Sequence, residues 1–213
     1  MQNTERFTNK LLFFIPILGM LLFILFYIVA TFKYPGGSYH SFEQSGFSWQ
    51  HNFLCDLLDD QAVNGQGNPA HTLARIGLGF LCLGISILWY TIPYLFKKNN
   101  YLYAGIRLAG IGSMATVLLL AYGDHDLVVR IAGILGTLAL LFTYYGLYRE
   151  KHTKLLLWGI AALLLVAANF YIYETSNGRY WLPIIQKLTF LVCMGWFLAL
   201  NLRLRKDMQS QVV

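Results

Sequence analysis

Residues 49–60 read WQHNFLCDLLDD and place one histidine, one cysteine and three aspartates within twelve positions. Two further segments have the same character, NPAHTLAR at 68–75 and GDHDLVVR at 123–130. Imidazoles in this company suit metal chemistry. His51, His71 and His125 form a three-histidine set of the kind that holds zinc or another divalent ion and leaves one position open for water. Asp56 or Asp124 is then the general base that takes a proton from that water. The remaining charges, Arg75, Arg130, Arg179, Asp59, Asp60 and Asp126, suit the binding of a lipid headgroup or other polar ligand. The metal ligands come from separate segments, which only folding can unite. No HExxH, HxxxH or CxxC spacing, no phosphatase-type Arg–His motif, no P-loop and no GxSxG supports them locally.

The elements that must position these residues are apolar. The chain of 213 residues is 57% hydrophobic and 12% charged, with a mean hydropathy of +0.52. Soluble domains carry about 25% charged residues. Six runs reach the roughly 20 residues that a spanning helix needs, at about 11–32, 70–96, 101–121, 127–148, 154–173 and 181–202. They are continuous rather than alternating, which excludes a transmembrane barrel. The first run is longer than the apolar core of a signal peptide and reads as a retained helix. The fold class expected is therefore all-α: one integral membrane domain over 1–213, a polytopic bundle of six transmembrane helices. The pI near 9.2 does not point to nucleic acid, because the basic residues sit at helix ends.

Orientation follows from those bases. Arg6, Lys10, Lys97, Lys98, Arg149, Lys151, Lys154, Arg203, Arg205 and Lys206 lie on one side, against Lys33, Arg75, Arg130 and Arg179 on the other. The positive-inside rule then places the protein in the cell membrane, multi-pass, with both termini cytoplasmic. The 33–69 loop, the GDHD turn and the 174–180 loop face outward together. Arg107 and Lys187 fall inside spans. The three cysteines, Cys55, Cys82 and Cys193, share no loop and do not read as a disulfide framework.

Within the outer loop, YPGGS at 34–38 is a turn signal that ends the first span. In 49–60 the doublets His51–Asn52, Cys55–Asp56 and Asp59–Asp60 alternate with Phe53–Leu54 and Leu57–Leu58. That period predicts a short amphipathic helix in the first outer loop, one face apolar, the other carrying the acids. Three carboxylates near its C-terminal end require a nearby cation, which is an arginine of the bundle or a metal. Asn68 is an N-cap, Pro69 fits the first helical position, and His71 and Arg75 share a face at i, i+4. Asp126 caps the fourth helix and pairs with Arg130. Gly105, Ala109, Gly112 and Thr116, with Ala132, Gly133, Gly136 and Thr137, form small-residue faces for close helix packing, or for a homo-oligomer.

The block YPGGS…GFSW…NFLCDLL…NGQGNPAHTLARIG resembles the N-terminal half of a bacterial membrane family, the domain-of-unknown-function group numbered 998. That group is similar to the DRAM/FRAG-like six-helix family. The resemblance spans roughly residues 15–130 and implies six helices and a role in organising or regulating membrane lipid. Alkaline ceramidase-like hydrolases also gather histidines and acids at one membrane face. They have seven spans and a late paired-histidine motif, whereas here no histidine follows His152. Three functions compete. One is a lipid-binding or regulatory protein using the outer polar set. The second is a metal-assisted hydrolase of a lipid or amphiphile at the outer leaflet. The third is a small proton-linked transporter with a polar path linking Arg107 to Lys187.

Overall fold

A computed structural model describes residues 2–121 and 125–210. Six helices account for most of the chain: α1 (Gln2–Thr31), α2 (His71–Thr91), α3 (Asn100–Leu118), α4 (His125–Arg149), α5 (Thr153–Thr175) and α6 (Leu182–Ser210). Each contains a segment long and apolar enough to cross a membrane. Helices are the necessary solution for such runs, because backbone groups in hydrocarbon must pair within their own segment. The ends are set by local chemistry. α2 passes into a 3-10 turn at Ile92–Leu95, where Pro93 supplies no N–H. Asn99 opens α3 by accepting a bond from Leu102 N at 3.1 Å. Ser176, in the left-handed region at φ 58°, ends α5.

α2 is the central helix, with Ile85, Leu88 and Trp89 buried. It crosses α1 where Gly84 faces Gly19, and it meets α3 where Gly110 lies against the Trp89 ring. A methyl group at Gly110 would overlap that indole, and in the small-residue faces Gly105 packs on the Phe142 ring and Gly136 on Ser113. Side-chain hydrogen bonds to backbone join the remaining helices. Ser113 donates to Ala132 O (2.9 Å) between α3 and α4, and Tyr144 donates to Gly159 O (2.6 Å) between α4 and α5. Trp196 donates to Leu155 O (2.8 Å) between α5 and α6, and Asn201 to Phe13 O (2.9 Å) between α6 and α1.

The loop between α1 and α2 forms a folded cap over one end of the bundle, and it differs from the expected amphipathic helix. It opens with a hairpin, β1 (Gly36–Ser38) paired antiparallel with β2 (Ser41–Ser45). Gly37 takes φ 82° while packed on Asn64, a position open only to glycine. Residues 49–60 then form turns and one 3-10 turn, Cys55–Leu57. The reason is local competition. Asn52 and Asp56 spend their side chains on nearby backbone groups, which offers those groups an alternative to helix. Leu54, Leu57 and Leu58 still turn inward and are buried, so the apolar half of the reading holds without the helix.

Candidate functional site

The cap end carries four polar groupings, each built from different elements. The innermost centres on Asn52, which is fully buried. Its Oδ1 accepts from Ser48 N (2.9 Å) and Gln44 Nε2 (3.0 Å), and its Nδ2 donates to Gly37 O (2.8 Å) and Asp56 Oδ2 (2.9 Å). Asp56 Oδ2 also accepts from Phe53 N at 2.9 Å. Burial pushes the Asp56 carboxyl above the ordinary carboxylate range, opposed by those two bonds and by the Lys187 charge. The carboxylate proposed as a base is thus engaged in closing the loop. α6 grips this core from the bundle side. Lys187 Nζ donates to Asn52 O (2.6 Å) and to Pro183 O (3.0 Å), and Gln186 Oε1 accepts from Leu54 N (2.9 Å). A second buried asparagine, Asn68, donates to the carbonyls of Asp56, Leu57 and Asp59. Its Oδ1 accepts from Ala70 N at 3.0 Å, a turn bond just ahead of α2; the cap position expected of Asn68 falls to Ala70, which makes no side-chain bond.

The second grouping answers the question of what balances the acids. Arg75 Nη2 lies 3.0 Å from Asp60 Oδ1, its Nε donates to Leu58 O (3.0 Å), and His71 Nε2 lies 3.7 Å from the same carboxylate oxygen. His71 and Arg75 therefore share a face as their spacing indicated, and they close on Asp60. His71 Nδ1 lies 2.6 Å from Asn68 O. Asp59 lies beside this pair at the surface. Partial desolvation raises its carboxyl, while the charges of His125 and Arg75 pull it down and Asp60 raises it further.

The third grouping joins α4 to α5 and corrects one pairing. Arg130 does not bridge to Asp126 one turn away; its Nη2 meets Glu174 Oε1 at 2.7 Å. Asp126 instead accepts a short bond from the Tyr173 hydroxyl, with His125 Nδ1 3.5 Å away. An interhelical partner of good geometry displaced the local pair, whose worth is only about 0.2–0.5 kcal/mol. Asp124 lies outside the described residues.

The fourth grouping is aromatic and was largely missed. At the hairpin turn the His40 ring lies 5.3 Å from His51 and 4.7 Å from Tyr180, centroid to centroid. Tyr180 Oη is 3.5 Å from His51 Nε2 and accepts from Gln50 Nε2 at 3.3 Å. The Arg179 guanidinium lies 4.3 Å from the centroid of Tyr39. Among the described residues no carboxylate pairs with Arg179, and its Nε is buried with no hydrogen-bond partner. Trp181 packs on Tyr180 at 5.2 Å and, like Trp49 and Tyr39, is more than half exposed. The visible signal was GGSYHSFEQS, whose glycines and turn residues are those of a hairpin that carries His40 toward the later loop.

The three histidines expected to share a metal are thus dispersed. His51 stacks on His40 and Tyr180, His71 closes on Asp60, and His125 sits beside Asp126. No group of three metal-ligating side chains occurs among the described residues. The two cations of the expected polar path make separate contacts. Arg107 donates to Tyr90 O (2.9 Å) and lies over the Tyr90 ring near the opposite end of the bundle. Lys187 is committed to the cap, and buried Leu, Ile and Trp side chains fill the space around α2 between them.

The class defined by these observations is an all-α bundle of six helices, each apolar enough to span a membrane, with a hydrogen-bonded cap at one end. The chain matches no protein-family model, no curated protein and no solved structure.

Proposed function

We propose that this chain is a multi-pass protein of the cell membrane, termini cytoplasmic, that binds the anionic headgroup of a membrane lipid at its outer face. Arg179 carries the reading. Arg75 and Arg130 are held by Asp60 and Glu174, whereas Arg179 has no acid partner among the described residues and stacks on Tyr39. A guanidinium fork matches phosphate and carboxylate oxygens, and stacking holds its plane in place for them. His40, His51 and the Tyr180 hydroxyl add polar groups to the same patch. The exposed rings of Tyr39, Trp49 and Trp181 suit the headgroup level of a bilayer, where aromatic belts concentrate. The resemblance to a lipid-organising six-helix family agrees with this role.

The test is a titration of the full chain in detergent with short-chain phosphatidylglycerol and, separately, phosphatidylcholine. Tryptophan fluorescence is the readout, with Trp181→Phe to assign the signal. Phosphatidylglycerol should bind preferentially. Arg179→Gln should weaken it about tenfold, the loss of one charge-assisted bond of roughly 1.5 kcal/mol. Equal binding by wild type and Arg179→Gln sinks the proposal.

A further inference from the structure

At the opposite end of the bundle, the end that carries the chain termini, the α2–α3 linker and the last turn of α4 line an open cleft of about 70 Å³. Its lining includes Lys97, Lys98, Asn99, Arg149 and Glu150. On this measure a water molecule needs about 10–15 Å³, so the cleft has room for a group the size of a phosphate. Three exposed cations and the half-buried Glu150 are among its lining residues. Glu150 is already engaged, its Oε1 accepting from Lys97 N at 3.1 Å, which ties the linker to α4. None of Lys97, Lys98 and Arg149 has a carboxylate partner among the described residues. Arg149 has only the Tyr145 ring, 5.8 Å away. Elsewhere at this end a charge pair does form, Arg203 with Asp207 at 3.0 Å. Asn99 caps the start of α3 and fixes the wall of the cleft. Tyr101, 91% exposed, stands beside it.

Basic residues at this end are expected from insertion alone. Topology requires only that they be near a helix end. It does not require three of them to line one open cleft beside a single committed acid. We infer that this cleft is a phosphate-binding site, taking either the phosphodiester headgroup of an anionic lipid or a soluble phosphate. It is independent of the Arg179 seat, which lies at the other end of the bundle.

The test uses the full chain carrying Arg179→Gln, so that the cap end does not contribute. Native mass spectrometry reads retained phosphatidylglycerol against phosphatidylcholine, and a thermal melt in detergent reads stabilisation by inorganic phosphate. Each neutralised cation near a lipid surface should cost about fivefold in binding. Lys97→Gln/Lys98→Gln/Arg149→Gln should therefore lose lipid preference by about 100-fold. Seven of the ten basic residues at this end remain, so insertion is preserved. The charge-keeping Lys97→Arg/Lys98→Arg/Arg149→Lys should retain binding, which separates lost charge from lost fold. Lipid preference lost in the Gln variant, with no phosphate effect on the parent, identifies a lipid ligand. Stabilisation of the parent but not of the variant by phosphate identifies a soluble one. Two results overturn the inference. One is equal binding by parent and Gln variant. The other is an equal loss from Lys151→Gln/Lys154→Gln/Lys206→Gln, which removes as many charges outside the cleft.

Discussion

Replacing Asn52 with alanine should unlatch the cap while leaving the bundle intact. Its four side-chain bonds hold β1, the 48–52 turn and Asp56 together, and the residue is inaccessible to water. Gln44 is half-buried and Asp56 lies at the edge of the core, so both can find water once the side chain is gone. Gly37 O, on the buried strand, cannot do so without opening the loop, and Ser48 N, half-buried in the turn, loses its partner as well. Two lost bonds, at about 1.5 kcal/mol each, give roughly 3 kcal/mol. That is about 100-fold in the opening equilibrium. Cys55 supplies the reporter. Burial, with the charges of Asp56 and Asp59, pushes its thiol up to about 12, so little thiolate forms until the cap opens. Labelling of the full chain with a membrane-impermeant maleimide, read at the Cys55 peptide by mass spectrometry, should accelerate by about that factor. Glu43→Ala, an exposed change on β2, should leave the rate unchanged. If Asn52→Ala labels at the wild-type rate, Asn52 is not the latch and the reasoning fails.

Lys187→Met removes the tie from α6 to Asn52 O. The loss of a charge-assisted bond, about 1.5–3 kcal/mol, should raise Cys55 labelling by tenfold or more. An unchanged rate would show that Gln186 alone suffices. Gly110→Ala drives a methyl into the Trp89 ring and should lower the thermal midpoint in detergent, by an overpacking cost of about 1–3 kcal/mol. A neutral or stabilising result would mean that α2 and α3 are separable there. Burial holds the Asp56 and Asp59 carboxyls above 3.8, so the folded cap binds more protons than the open cap between that value and the raised ones. Cap stability should therefore fall as pH rises through that window. Hydrogen exchange of the 48–60 peptides, corrected for intrinsic rates, should show the decline, and Asp56→Asn should flatten it. A slope of opposite sign refutes the assignment.

The number and length of the helices were legible because apolar run length is a property of the chain itself. Each expected span matches the apolar segment of its helix to within about six residues at either end. Pairings at one helix face were legible in part. His71 and Arg75 converge as their i, i+4 spacing requires, yet Asp126 and Arg130, equally spaced, do not pair. Nothing local separates the two cases. What separates them is that Glu174 and Tyr173 of α5 arrive with better geometry than the neighbour one turn away.

The cap shows the same division. In WQHNFLCDLLDD the spacing of leucines correctly marked which side turns inward, since burial of apolar surface needs no knowledge of the partner. It misjudged the backbone, because an asparagine among polar neighbours looks like a surface residue. Asn52 became a buried hub only when the hairpin and α6 brought Gly37 and Lys187 to it. The cation facing Asp60 is Arg75, and the three histidines serve three different partners. By itself the sequence determined six apolar helices and a polar end. Which acid meets which base was decided by tertiary structure, because electrostatic partners are chosen by distance in space rather than along the chain.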